Sequence, residues 1–99
     1  MKYLMFKDLY HPAVKKDLKK ITRSSMNDIK GKWIPKLLLK PFDGEELTGP
    51  LIGIRSYHFK IGKVQYRIAY TINENEHMIK ILMIAKRESF YQLLKRRLT

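Results

Sequence analysis

A chain of 99 residues with 44% hydrophobic content has material for one domain around one modest core and excludes a second. The absence of cysteine excludes a disulfide framework and thiolate metal sites, and no run approaches the ~18 to 20 apolar residues of a membrane span. Lys and Arg total 21 against 9 Asp and Glu, a net charge of +12, which favours a polyanionic partner, nucleic acid first.

The opening "MKYLMFKDLY" is interrupted by Lys7 and Asp8 before any signal-like apolar run develops, so a soluble, cytoplasmic protein is expected. Within it "YLMF", residues 3 to 6, reads as a first strand. "HPAVKKDLKKI" follows as an amphipathic helix: Pro12 suits the first helical position, and Val14, Leu18 and Ile21 form a stripe with the lysines turned outward. Ser25 with Asp28 resembles a capping box, and Met26, Ile29, Trp33 and Leu37 continue a second helix. Pro35 lacks an N–H and its ring crowds the carbonyl of Gly31, so a kink or an early break is expected there. Pro41 disfavours helix at Lys40 and ends the segment.

"PFDGEELTGPLIG" reads as loop. Three strands follow: "IRSYHFKI", then "VQYRIAYTI" after a tight Gly62-Lys63 turn, then "HMIKILMIA" after "NENE". The last is apolar on both parities, as a central strand covered on both faces would be. "ESFYQLLKRRL" closes the chain as a short helix with a basic end. The order strand, helix, helix, three strands, helix predicts an α+β fold with helices on a small antiparallel-rich sheet, a single domain over residues 1–99.

The strands also locate a polar face. Val64, Tyr66, Ile68, Tyr70 and Ile72 share one parity, and Gln65, Arg67, Ala69 and Thr71 the other. In the preceding strand Tyr57, Phe59 and Ile61 share a parity with Arg55, while Ser56, His58 and Lys60 oppose them. A hairpin closed at Gly62 and Lys63 makes the Gln65 and Arg67 face coincide with that of His58 and Lys60. Arg67 then points into a shared basic cleft. From residue 51 onward ten Lys and Arg stand against Glu74, Glu76 and Glu88, and much of this charge lies in segments that read as strands. His11 and His77 read as cap or turn residues, and no His, Asp and Glu spacing forms a metal site, so neither a metal nor a cofactor is expected.

"HPAVKKDLKKI", "PFDGEELTGPLIG", "SYHFKIGKVQYRIAY" and "IAKRESFY" together resemble the RelE/ParE superfamily of type II toxin-antitoxin toxins, over nearly the whole chain. The resemblance leans toward RelE-type ribosome-dependent endoribonucleases, which cleave mRNA without a metal by attack of the RNA's own 2′-hydroxyl. It implies that Lys60 helps activate the hydroxyl, that Arg67 stabilises the phosphate, that Arg87 serves the leaving oxygen, and that Tyr91 stacks on a base. Tyr91 follows Arg87 at a spacing two residues shorter than in that pattern. Lys63, Arg55 and Gln65 complete the expected substrate contacts. His58 stands where the pattern often has lysine, and it is the better base at neutral pH, since histidine titrates near ~6.5 and lysine near ~10.4. A related branch uses a glutamate and a C-terminal histidine. Glu45 or Glu46 fits the first, but no histidine follows Arg87. The implied partners are an acidic antitoxin and mRNA on the ribosome, with no membrane. A ParE-like inhibitor of DNA gyrase and a noncatalytic RNA-binding module are the alternatives.

Overall fold

A computed structural model of the chain describes residues 5–99. Five strands form one sheet in the order β1-β5-β4-β3-β2, with β1 (Lys7–Tyr10) parallel to β5 (Met78–Lys86) and every other pair antiparallel. β3 (Arg55–Ile61) and β4 (Val64–Asn73) make the expected hairpin around Gly62, whose φ of 60° suits a residue without a Cβ. β2 (Glu45–Glu46) is a two-residue strand inside the stretch expected to be loop.

Tyr3 and Leu4 of the expected first strand lie outside the described residues. Met5 and Phe6 come before β1, which pairs four residues further on than the apolar run suggests. The reason is packing: Phe6 stacks on His77 with ring centres 3.8 Å apart, and its N–H bonds the Leu38 carbonyl at 3.0 Å, so the apolar side chain joins the core instead of a ladder.

Helix α1 (Val14–Lys19) begins two residues after Pro12, behind a turn in which His11 Nδ1 accepts the Ala13 N–H at 3.0 Å. Thr22, not Ser25, caps α2 (Arg23–Asp28): its extended backbone leads into the helix and its hydroxyl accepts the Ser25 N–H at 3.3 Å. Pro35 does not break the helix. The turn Ile29–Trp33 widens to a π-turn, in which the Ile34 N–H bonds the Ile29 carbonyl five residues back, and α3 (Ile34–Leu39) continues beyond it. The widening relieves the crowding that the proline ring would cause in a regular helix. Lys40, before Pro41, leaves helical geometry as expected.

The two faces of the sheet carry separate apolar clusters. Val14, Ile29, Ile34, Leu37 and Leu38 pack on Phe59, Tyr66, Ile68, Tyr70, Ile79, Ile81 and Ile84. On the opposite face Phe90 and Leu94 of α4 (Phe90–Leu98) pack on Ala69, Leu82, Met83 and Ala85, with Leu47, Leu51 and Ile54 alongside. β5 serves both clusters, as its doubly apolar sequence requires, but its parity switches midway. The register passes from Ala69 opposite Met83 to Tyr70 opposite Ile81, leaving Leu82 as an extra residue in a β-bulge. Among the described residues no helix is long and apolar enough to cross a membrane.

Candidate functional site

Alternation along β3 and β4 builds the site. Phe59, Tyr66, Ile68 and Tyr70 turn into the core under α1 and α3, which sends the intervening residues to the face on which α4 lies. The hairpin register sets His58 opposite Arg67 and Lys60 opposite Gln65. On the other side of β4, Arg67 stands opposite Ala85 of β5, two residues before Arg87 in the 3-10 turn Arg87–Ser89. Arg67 therefore occupies the middle strand, flanked by His58 on one side and the approach to Arg87 on the other. α4 has nine residues, a rod of ~13 Å, and covers part of a sheet whose β4 alone extends over ~34 Å. The hairpin end stays open, with Lys60, Lys63 and Gln65 exposed.

Arg67 is partly buried by α4. Its Nη1 donates to the Tyr91 hydroxyl at 2.9 Å, and its guanidinium carbon lies 5.3 Å from the Tyr91 ring centre and 5.7 Å from that of Phe90. Arg87 Nη1 donates to Gln65 Oε1 at 3.2 Å, so Gln65 orients one of the cleft's cations. The Lys60 side chain has no hydrogen bond or ion pair to any described residue. Lys63, Gln65 and Arg87 line a shallow hollow with Glu88 at the hairpin end.

His58 Nε2 is 3.7 Å from Glu45 Oε1. Burial pushes the imidazole below its ordinary value; Arg67 and, more weakly, Arg87 push the same way, against Glu45, which raises it. The neutral, proton-accepting form is thus favoured at neutral pH.

Arg55 does not join this group. On the parity of Tyr57 and Phe59, it donates to the Gly44 carbonyl at 2.7 Å and the Phe42 carbonyl at 3.2 Å, and it lies 3.8 Å from Glu46. It secures the segment that carries Glu45. Tyr70 acts with it, donating to the Pro41 carbonyl at 2.6 Å and accepting the Gly44 N–H at 3.1 Å, and a Cβ at residue 44 would collide with that hydroxyl. Glu45 reaches His58 because β2 adds to the β3 edge with Glu45 opposite Ser56, a pairing that two consecutive glutamates do not advertise. Among the described residues no group of three His, Cys, Asp or Glu is arranged to hold a metal ion.

The sequence matches the family described as ParE-like toxin of type II bacterial toxin-antitoxin systems over residues 9–95. The chain belongs to that family. Solved structures share the fold of this ParE-like toxin. The toxin-antitoxin complex RelBE2 of Mycobacterium tuberculosis aligns with a TM-score of 0.74 at 22% identity, over 87% of this chain and 95% of that one. An arginine-to-alanine double variant of E. coli toxin RelE in the free state aligns at 0.69 and 16% identity, over 97% and 100%. The archaeal RelE-RelB complex of Pyrococcus horikoshii aligns at 0.60 and 22% identity, over 85% and 97%. A comparison with curated proteins gives no match. The protein is a ParE-like toxin, and its mixed α and β architecture with a five-stranded sheet is the fold of the RelE structures.

Proposed function

We propose that this toxin is a metal-independent endoribonuclease that cleaves mRNA on the ribosome and is restrained by a cognate acidic antitoxin. The observation that carries the reading is the order of groups across the sheet, with Arg67 between His58 and the strand leading to Arg87. In attack by a 2′-hydroxyl on the adjacent phosphorus, the entering and leaving oxygens lie on opposite sides of the phosphate. A base on one flank, a cation in the middle and a second cation on the other flank match that demand, across two strand spacings of ~9 to 10 Å. His58 accepts the hydroxyl proton as the new oxygen–phosphorus bond forms. Arg67 holds the charge gathering on the phosphate oxygens and Lys60 lowers the cost of deprotonating the hydroxyl by its charge; as the bond from phosphorus to the 5′-oxygen breaks, leaving a 2′,3′-cyclic phosphate, Arg87 stabilises the charge on the departing oxygen, which takes its proton from water. Tyr91, beside Arg67 and exposed, offers a ring to a neighbouring base. Lys63 and Gln65 extend the contact along the backbone. Solved relatives include RelBE complexes, which supports an antitoxin partner for this chain, and the net charge of +12 suits an acidic one.

The experiment is primer extension on mRNA bound to ribosomes, with Arg67→Ala as the decisive variant. Loss of at least tenfold in rate is expected, since ~1.4 kcal/mol of transition-state stabilisation already gives that factor. An Arg67→Ala protein that is folded and fully active removes the reading. The ParE-like family description favours one second reading, a gyrase inhibitor that needs no cleft, for which growth arrest without transcript cleavage and with blocked DNA supercoiling is the expected result.

A further inference from the structure

The proposed chemistry leaves one buried charge pair unused. Asp17, on the inner stripe of α1 between Val14 and Leu18, is 9% exposed. Its two carboxylate oxygens accept Arg97 Nη1 at 2.7 Å and Nη2 at 2.8 Å, a fork-to-fork contact between residues 80 apart in sequence. Arg97 Nη1 also donates to the Leu82 carbonyl at 3.0 Å, and the Ile84 N–H donates to Asp17 Oδ2 at 3.0 Å. Leu82 is the extra residue of the β5 bulge, and Ile84, still paired with Ile68 of β4, lies beyond the point where the pairing of β5 with β1 ends at Ile81. The bulge residue thus supplies a carbonyl and the strand just after it an amide, and the ion pair satisfies both.

Arg97 lies seven residues after Phe90 and three after Leu94, so it extends the buried stripe of α4 and ends it in a directional contact. Apart from the single hydrogen bond from Arg67 to Tyr91, the rest of the helix is held less specifically. Phe90 and Leu94 make apolar contact, no side chain caps the first turn, and a cavity of ≈ 240 Å³ lined by Asp17, Ile21, Ile84, Ser89 and Leu93 separates that turn from α1. Apolar contact does not fix rotation or sliding, whereas a bidentate charged contact does. The first turn of this helix carries both rings that flank Arg67 and the hydroxyl that accepts from it.

We propose that Asp17 and Arg97 are positioning residues for Arg67 and Tyr91: by fastening the last turn of α4 to α1 and to the β5 bulge, they set the rotation of the helix that aims the Arg67 guanidinium across the cleft. The consequence for catalysis rests on the ribonuclease reading above; the consequence for Arg67 geometry does not.

Two variants test it. Arg97→Lys keeps the charge and loses the fork; Asp17→Asn keeps an acceptor for the Ile84 N–H and loses the charge. The measurements are kcat and KM for cleavage of ribosome-bound mRNA, hydrogen exchange along α4, and the NMR signals of the Arg67 Nε–H and the Tyr91 ring. In both variants α4 amides are expected to exchange at least tenfold faster while β4 amides do not change. The Arg67 signal shifts toward its position in Tyr91→Phe, and kcat falls at least tenfold with KM within about twofold. Leu98→Ala, an exposed change in the same turn, moves none of these. Unchanged Arg67 and Tyr91 signals in Arg97→Lys overturn the proposal, as does a loss confined to KM. If Asp17→Asn does not fold, the Arg97→Lys result decides. If the unaltered protein cleaves nothing, the ribonuclease reading fails, and the Arg67 and Tyr91 signals still settle the positioning.

Discussion

The sheet has two faces built from the same strands, and they are put to opposite uses. Under α1 and α3 the face is a continuous packed core, in which Trp33 stacks on Phe59 at 5.1 Å and Phe59 on Tyr66 at 5.6 Å. Under α4 the face is divided. Its inner part holds Ala69, Met83 and Ala85 against Phe90 and Leu94, and its outer part holds His58, Lys60, Gln65 and Arg67 in reach of water. The difference is one of cover: the helices on the first face span the sheet, while nine residues of α4 stop short of the β3–β4 hairpin. A short lid over a long strand pair makes one side of an alternating sequence structural and leaves the other free for chemistry.

The comparison breaks most readily on the packed face. Phe59→Ala removes the middle ring of a three-ring stack that is 6% exposed, and a loss of about 3 to 5 kcal/mol is expected in urea unfolding. A loss under about 1 kcal/mol would show that this face is not a single close-packed unit.

Gly44→Ala tests how the segment before β2 is seated. The added methyl meets the Tyr70 hydroxyl, which is fully buried and already bonded to Pro41 and Gly44, so a destabilisation of about 1 to 3 kcal/mol is expected. Chemical shifts of His58 should move with it, because Glu45 follows residue 44 directly. Unmoved His58 signals would separate the Glu45 contact from this anchor.

The smallest effect concerns the open part of the other face. His58 must be neutral to accept a proton, so cleavage should rise with pH through its lowered pKa and level off above it. Glu45 raises that pKa and Arg67 lowers it. Glu45→Gln should therefore carry the acid limb to lower pH, a small displacement because both partners of the pair are exposed. A limb that moves to higher pH, or a His58→Ala protein with an unaltered profile, excludes His58 as the base.

Much of this division is legible in the sequence. The alternation of "SYHFKI" and "VQYRIAYTI" and the Gly62-Lys63 turn fix which side chains share a face, and the hairpin follows that register. Less legible are contacts between distant segments. Two glutamates in a loop composition do not foretell β2, and Arg55, which shares its strand with His58 and Lys60, is drawn by parity to the opposite face and by the carbonyls of residues 42 and 44 into a structural role. The Asp17 and Arg97 pair does leave a trace: each is a charged residue on an otherwise apolar helical stripe, the place where a charge needs a buried partner. Finding that partner requires the bulge at Leu82, which an unbroken apolar run in β5 conceals.

The π-turn at Ile29–Trp33 has a bearing on chain length. A turn of this kind holds one residue more than its neighbours while the helix on either side keeps its alignment. Gly31, exposed and with no atom within 4 Å of where a Cβ would stand, is the residue whose excision disturbs least. A 98-residue chain lacking it should keep Ile29 and Ile34 seated as they are, trading the wide loop for a regular one and bringing the Pro35 ring up against the Lys30 carbonyl.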